Sequence, residues 1–330
     1  MTQVRHTVLI TAEQAGRRLD QALAELLPEY SRSRLKEWIV AGSVRLDGAV
    51  AEPRSRVTEG QQVEVDAAVI ADFHVAAQPI GLDIVHQDSA VLVLNKPAGL
   101  VVHPGAGNPD ATLENGLRHF DPSLAELPRS GILHRLDKDT SGLLLVARTL
   151  EAHTQLTRDL QEREIRREYR ALVNGVMTAG GTVEAPIDRH ATQRTRMAVV
   201  HGGRPAVTHY RVLARGAAHT WLAVRLETGR THQIRVHMTH IGFPIVGDPL
   251  YGGRPRVPAG ASATVLESLR SFRRQALHAS AIAFTHPVTG ESLEFTAALP
   301  ADLRSLLEVL AGSAAAAARA EAMPWPGNPV

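Results

Sequence analysis

Between Gly131 and Thr149 the chain reads GILHRLDKDTSGLLLVART, and its centre sets His134, Arg135, Asp137, Lys138 and Asp139 within six positions. Carboxylates, cations and an imidazole packed this closely can supply a nucleophile, a proton carrier or a partner for an anion. A second concentration follows in Thr228 to His240, TGRTHQIRVHMTH, with Arg230, His232, Arg235, His237 and His240.

The elements that would position these groups can be read from periodicity. Leu143 to Ala147 is an unbroken apolar run, the pattern of a strand buried on both faces. The charged hexad therefore sits on a loop at the mouth of a core strand, where a rigid scaffold presents reactive groups. In the second cluster Thr231 is the expected cap of a helix whose inner stripe is Ile234, Met238 and Ile241. Arg230, His232 and Gln233 then stand at a helix entrance, a favourable place for an anion. Thr149 is expected to cap a helix running to about Arg166, with Arg163, Arg166, Arg167 and Arg170 making that corner basic. Tyr169 follows on a strand, sharing a face with Ala171.

The rest of the 330 residues bounds the answer. Hydrophobic content of 44% and charged content of 21% are ordinary globular values. The formal net charge is only +2, so a polyanion site must be a local patch. No cysteine is present, which excludes disulfides and thiolate metal sites. No signal peptide and no apolar run of membrane-spanning length is read, and the expected location is the cytoplasm. No phosphate-cradling glycine loop opens a helix. After Leu82 strands outnumber helices and come as hairpins, which predicts a mixed, mainly antiparallel sheet. The pair Asp137 and Asp139 invites a Mg²⁺-dependent phosphotransferase, but in haloacid dehalogenase-like enzymes the D-x-D follows its strand, and here the strand follows the D-x-D. A metal site from His232, His237 and His240 lacks a carboxylate in the same turn, so no metal and no cofactor are expected.

The segment Arg17 to Gly48, RRLDQALAELLPEYSRSRLKEWIVAGSVRLDG, resembles the S4 RNA-binding domain. The resemblance implies that Arg32, Arg34, Lys36 and Arg45 contact RNA phosphates. An RNA-binding or ribosome-assembly factor without catalysis is the alternative it leaves open.

Four further motifs, NKPAGLVVHPGAGN, GILHRLDKDTSGLLLVA, REYRALVNG and LETGRTHQIRVHM, together resemble the RluA-type pseudouridine synthases. The implied fold is α+β: a small S4-like domain, then a synthase domain on a mixed, mainly antiparallel sheet with flanking helices and a central cleft. The expected divisions are a leading strand over 1–16, the S4-like domain over 17–76, a linker over 77–81, the synthase domain over 82–312 and a disordered tail over 313–330. The implied reaction isomerises uridine in RNA without a cofactor. Asp137 would be the catalytic carboxylate, Arg235 its ionic partner, Ile234 an apolar floor and Tyr169 a platform for the uracil. Arg135 would fill the space the flipped base leaves, and Lys96 and Arg230 would bind phosphates. The runs VVHPGAGNPD, AGGTVEAPIDRH, KEWIV and YGGRPRVPAGAS point to the branch acting on 23S ribosomal RNA of the large subunit or its precursor, at the helix 69 stem-loop. A monomer with no membrane partner is expected.

Overall fold

The computed structural model describes residues 2–27, 30, 32–69, 75–105, 107–193, 195–323 and 325. The chain divides into two compact units, Met1–Val75 and Ala76–Val330.

The first unit contains β1 (Thr2–Leu9), α1 (Leu19–Leu26), α2 (Arg32–Val40), β2 (Val44–Leu46), β3 (Ala49–Val50) and β4 (Gln62–Val69). Its sheet has the order β1-β4-β2-β3. The leading strand is β1, an edge strand paired with β4 from Thr2↔Val69 to Leu9↔Gln62. Leu19 and Leu23 of α1 and Leu35, Trp38 and Ile39 of α2 recur at helical spacing and bury one stripe against Val44, Val63 and Val65 of the sheet. The polar residues are left on the outside: Lys36 and Arg45 are exposed, and Arg45 Nη1 donates to Gly48 O at 3.1 Å. The side chains of Arg32 and Arg34 lie outside the described residues.

The second unit runs β5 (Ile84–Gln87), β6 (Val91–Lys96), α3 (Leu113–Phe120), β7 (Ser141–Ala147), α4 (Leu150–Gln161), β8 (Arg166–Asn174), β9 (Gly181–Glu184), β10 (Ile187–Arg189) and β11 (Met197–Val199). It continues through β12 (Val207–Arg215), β13 (His219–Leu226), α5 (Gln233–His240), α6 (Ala263–Ser271), β14 (Leu277–Thr285), β15 (Ser292–Thr296), α7 (Ala301–Ala311) and α8 (Ala314–Ala322). The main sheet has the order β5-β6-β7-β14-β8-β13-β12-β9, with β15 also on β14. The pairing of β14 with β7 is parallel and the others are antiparallel, so the sheet is mixed and mainly antiparallel.

Every residue of β7 is buried. Leu144 and Val146 enter the large core with Leu113 and Leu117 of α3, while Leu143, Leu145 and Ala147 pack with Ala152 and Leu156 of α4. Burying a leucine is worth roughly 1.5–3 kcal/mol, so this strand is among the most firmly anchored parts of the unit. The loop entering it inherits a fixed base.

Three expectations are corrected. The helix α4 stops at Gln161, and Arg163 turns the chain at φ 67° into β8. The segment expected as a linker over 77–81 is tied to α3, because Gln78 N donates to Asn115 O and Asn115 Nδ2 to Ala76 O just before it. The tail expected to be disordered is helical over Ala314–Ala322, begun by Ser313, whose hydroxyl caps Ala316 N. Ala317 and Ala320 are buried, Trp221 Nε1 donates to Ala320 O, and Arg225 lies over the Trp325 ring at 4.1 Å. A run of alanines has high intrinsic helix propensity, and small side chains fit closely against a sheet face. Composition alone suggested neither a cap nor a docking surface.

Candidate active site

The charged hexad occupies the loop before β7, clamped by two glycines. Gly131 has φ +79°, and a Cβ there would lie 1.9 Å from Ala147 O. Gly142 has φ +112°, and a Cβ there would lie 2.2 Å from Ala279 O, where β7 and β14 run parallel. Both positions need the conformational freedom and small size of glycine. Gly142→Ala is expected to destabilise the unit by at least about 3 kcal/mol, since it adds left-handed strain to a collision with backbone. Urea unfolding, read by the loss of sheet signal, measures it.

Inside the clamp the backbone is tied at successive residues. Thr140 N donates to Asp137 O, Gly99 N donates to Lys138 O, and Arg274 Nη1 donates to Asp139 O. Lys96 belongs to this scaffold. It is 1% exposed, and its Nζ donates to Pro97 O, Leu100 O and Lys138 O at 2.8–2.9 Å. Burial draws its pKa down to about 7, against the pull of Asp139 and Asp137. The expectation that Lys96 binds phosphate is therefore corrected: all three donor directions are taken, and the ammonium is sealed from solvent.

Asp137 emerges from this loop toward α5. Arg235 Nη1 donates to Asp137 Oδ2 at 2.9 Å. The same guanidinium grips Asp248 in a fork, Nε to Oδ2 at 2.7 Å and Nη2 to Oδ1 at 2.9 Å. Asp248 Oδ1 also accepts from the backbone of Leu250 and Tyr251, so the turn Gly247 to Gly253 holds the carboxylate that holds the arginine. Burial opposes the charge on Arg235, but its bonds to Asp248 and Asp137 outweigh that cost and hold its pKa above the ordinary value. The ring of Tyr251 lies under the guanidinium at 5.0 Å. Tyr251 Oη meets His232 Nδ1 at 2.8 Å, and His232 Nε2 lies 3.9 Å from Asp137 Oδ1. Burial lowers the His232 pKa.

The entrance to α5 differs from expectation. The capping residue is His232, not Thr231, and it stands in the left-handed region at φ 57° without a side-chain cap. Gln233 shapes the turn instead. Its Oε1 accepts from Thr228 Oγ1 and Arg230 N, and its Nε2 donates to Val207 O and Thr208 Oγ1. His237 is fixed by Thr208 Oγ1 and Ala185 O, so both its nitrogens are engaged and neither is offered to a metal.

A cleft of about 500 Å³ opens over this ion pair. Tyr169, Ile234, Arg135 and Arg230 line it together with Asp137 and Arg235. Tyr169 is buried on β8, and burial raises its pKa. Ile234 is 4% exposed. Arg135 is exposed on the loop and makes no hydrogen bond or ion pair among the described residues. Arg230 Nε donates to Pro205 O, which leaves its remaining donors to the cleft. Arg32, Arg34, Lys36 and Arg45 belong to the other unit.

Two histidines beside the site make the fold acid-sensitive. His134 accepts Leu145 N–H at Nε2, and burial with the nearby Arg167 charge lowers its pKa to about 3. His278 lies between Ser141 Oγ and Ala297 O, and burial lowers its pKa to about 4. Below the unfolded value of 6.5 the unfolded chain takes up protons that the native chain refuses. Stability is thus complete above that pH and falls on acidification, by about 1.4 kcal/mol per pH unit for each histidine. Denaturant midpoints measured from pH 7.5 to 5 are expected to fall, and His278→Gln, which keeps hydrogen-bonding groups, is expected to remove about one proton from the slope.

Sequence reasoning reaches His232 only as part of the helix entrance and misses Asp248 and Tyr251. The one available signal was an aspartate between Gly247 and Gly252 in a turn of otherwise apolar character, GDPLYGG.

Comparison with known proteins bears on what this cleft does. Residues 90–240 match a family described as RNA pseudouridylate synthase, and residues 17–63 match the S4 domain. The ribosomal large subunit pseudouridine synthase D of Escherichia coli strain K12 is 53% identical over 309 residues, covering 93% of this chain and 95% of that protein. The protein of the same name from Yersinia pestis is 55% identical over the same length and shares. Among solved structures, human RNA pseudouridylate synthase domain containing 4 aligns with a TM-score of 0.55 at 26% identity, covering 69% of this chain and 92% of that one. Human RNA pseudouridylate synthase domain containing 1 aligns with a TM-score of 0.53 at 28% identity, covering 71% and 89%.

Proposed function

The chain belongs to the RNA pseudouridylate synthase family, and on that premise we propose that it converts uridines of 23S ribosomal RNA, in the helix 69 stem-loop of the large subunit or its precursor, to pseudouridine, with Asp137 as the catalytic carboxylate. The observation that carries this reading is the Asp137–Arg235 pair at 2.9 Å, open to a cleft of nucleotide size with an aromatic and an aliphatic wall.

The reaction breaks N1–C1′, turns the base and joins C5 to C1′. C5 loses its proton and N1 gains one, so no electron donor or acceptor is required. The carboxylate can act at C1′, at C6 of the base or on the 2′ proton; each route needs an ionised oxygen within bonding reach of the nucleotide. Arg235, itself anchored by Asp248, holds that oxygen pair aimed into the cleft.

The remaining residues divide the work of taking one base from its stack, which costs a few kcal/mol. Tyr169 offers an aromatic face to the uracil and Ile234 an apolar floor. Arg135, exposed and unpaired among the described residues, reaches out to occupy the vacated space. Arg230 meets backbone phosphate, and Arg32, Arg34, Lys36 and Arg45 of the S4-like unit add RNA contacts remote from the chemistry. The protein acts as a monomer in the cytoplasm; among the described residues no helix is long and apolar enough to cross a membrane.

Chemical mapping of pseudouridine in ribosomal RNA, from cells with and without the gene, tests the reading. Loss of helix 69 pseudouridines and their return on complementation supports it. An unchanged map would leave the RNA-binding assembly role in its place.

A further inference from the structure

Four arginines stand at the corner where α4 leads into β8, and three of them are neutralised. Arg163 is paired with Glu227, Arg166 Nη2 lies 2.7 Å from Glu294 Oε1, and Arg170 is paired with Glu168. Arg167 differs from them. It is 7% exposed and lines the cleft beside Asp137 and Tyr169. Its Nε is buried without a partner, and the guanidinium forms no hydrogen bond or ion pair among the described residues. A cation taken out of water without a counter-charge is costly, and buried charges are almost always paired.

A second orphan donor belongs to His134, a residue that lines the same cleft. Leu145 N–H donates to His134 Nε2, which places the imidazole proton on Nδ1. That Nδ1 is buried and has no acceptor among the described residues. The loop after β13 closes over the arginine at Gly229, where a Cβ would lie 3.1 Å from Arg167 Nη1. The cation and a backbone with no side chain thus meet at one part of the cleft, with the His134 imidazole near enough to feel the Arg167 charge, and no acid of the described residues is bonded to either donor.

We propose that Arg167 binds the RNA phosphodiester flanking the uridine that enters the cleft. The inference rests on the reading of the cleft as a uridine site. A phosphodiester is favoured over a uracil carbonyl because only an anion compensates the buried charge, and the guanidinium fork matches two phosphate oxygens. Gripping the backbone at this point would fix the nucleotide against Tyr169, two residues along β8, while Asp137 acts.

The test is a cycle of protein and RNA changes. An RNA fragment containing the mapped uridine is prepared with a neutral methylphosphonate at the phosphate on its 5′ side, at that on its 3′ side, or at neither. Pseudouridine formation is measured for wild type, Arg167→Gln and Arg167→Lys. At one of the two phosphates the wild type is expected to lose about 10- to 100-fold in kcat/KM. Arg167→Gln is expected to lose a similar factor on unmodified RNA and nothing further on that methylphosphonate RNA, and Arg167→Lys to recover part of the loss. Because the replaced cation has no partner, Arg167→Gln is expected to melt no lower than wild type. Additive losses at both phosphates, wild-type turnover by Arg167→Gln, or a marked fall in its melting temperature would each overturn the contact. Failure of the wild type to form pseudouridine in any ribosomal fragment would remove the uridine reading and the contact together, an outcome distinct from the other three.

Discussion

Asp137→Asn is expected to abolish pseudouridine formation, by at least about 10³-fold in kcat, while leaving the fold intact. The loss follows from chemistry: the amide has no anionic oxygen for either a covalent or a proton-abstracting role. The intact fold follows from the wiring. Arg235 keeps its two-pronged bond to Asp248 when Asp137 is neutralised, so no buried cation is abandoned. The substituted amide still has an oxygen that can accept from Arg235 Nη1. The substitution is thus expected to move the melting temperature by only a few degrees. Single-turnover assays on ribosomal RNA fragments, with melting curves alongside, check both halves. Retained turnover would exclude Asp137 as the reacting group.

Asp248→Ala is expected to have the opposite profile, a large loss of stability with a partial loss of activity. The carboxylate is fully buried and serves two N–H donors of its own turn and two of Arg235. Removing it strands those donors and leaves Arg235 with Asp137 alone. Breaking a buried pair from one side costs about 3–5 kcal/mol, because the surviving charge stays in the interior. Freed from its fork, Arg235 no longer fixes Asp137, and a displacement of about 1 Å is enough to cost about 10²-fold in rate. The double variant Asp248→Ala with Arg235→Met is expected to regain part of the stability, since the abandoned charge is gone, and none of the activity. Urea unfolding and single-turnover rates separate the two effects. If Asp248→Ala unfolds at the wild-type midpoint, the fork does not hold the site together.

Both predictions turn on contacts of different legibility. The apolar run Leu143 to Ala147 announced a doubly buried strand, and β7 is one, because hydrophobic pattern and burial are set locally along the chain. The stripe Ile234–Met238 likewise reported α5. Hairpin spacing after Leu82 was enough to expect a mixed, mainly antiparallel sheet, and the quoted motifs were enough to expect the family to which the chain belongs.

What the chain could not disclose by itself is which charges end up paired. Lys96 looked like a phosphate ligand and is a sealed strut of the loop, because its burial depends on strands and loops that meet only in the fold. Asp248, thirteen residues beyond Arg235, read as part of a turn and is that arginine's main anchor. Arg163, Arg166, Arg167 and Arg170 read as a basic corner, but Glu227, Glu294 and Glu168 pair with three of them. The alanine-rich tail gained its helix through a cap and a sheet surface to dock on. Periodicity is a property of neighbouring residues and survives in one dimension; ionic pairing and desolvation are properties of three-dimensional proximity, and only tertiary structure assigned them.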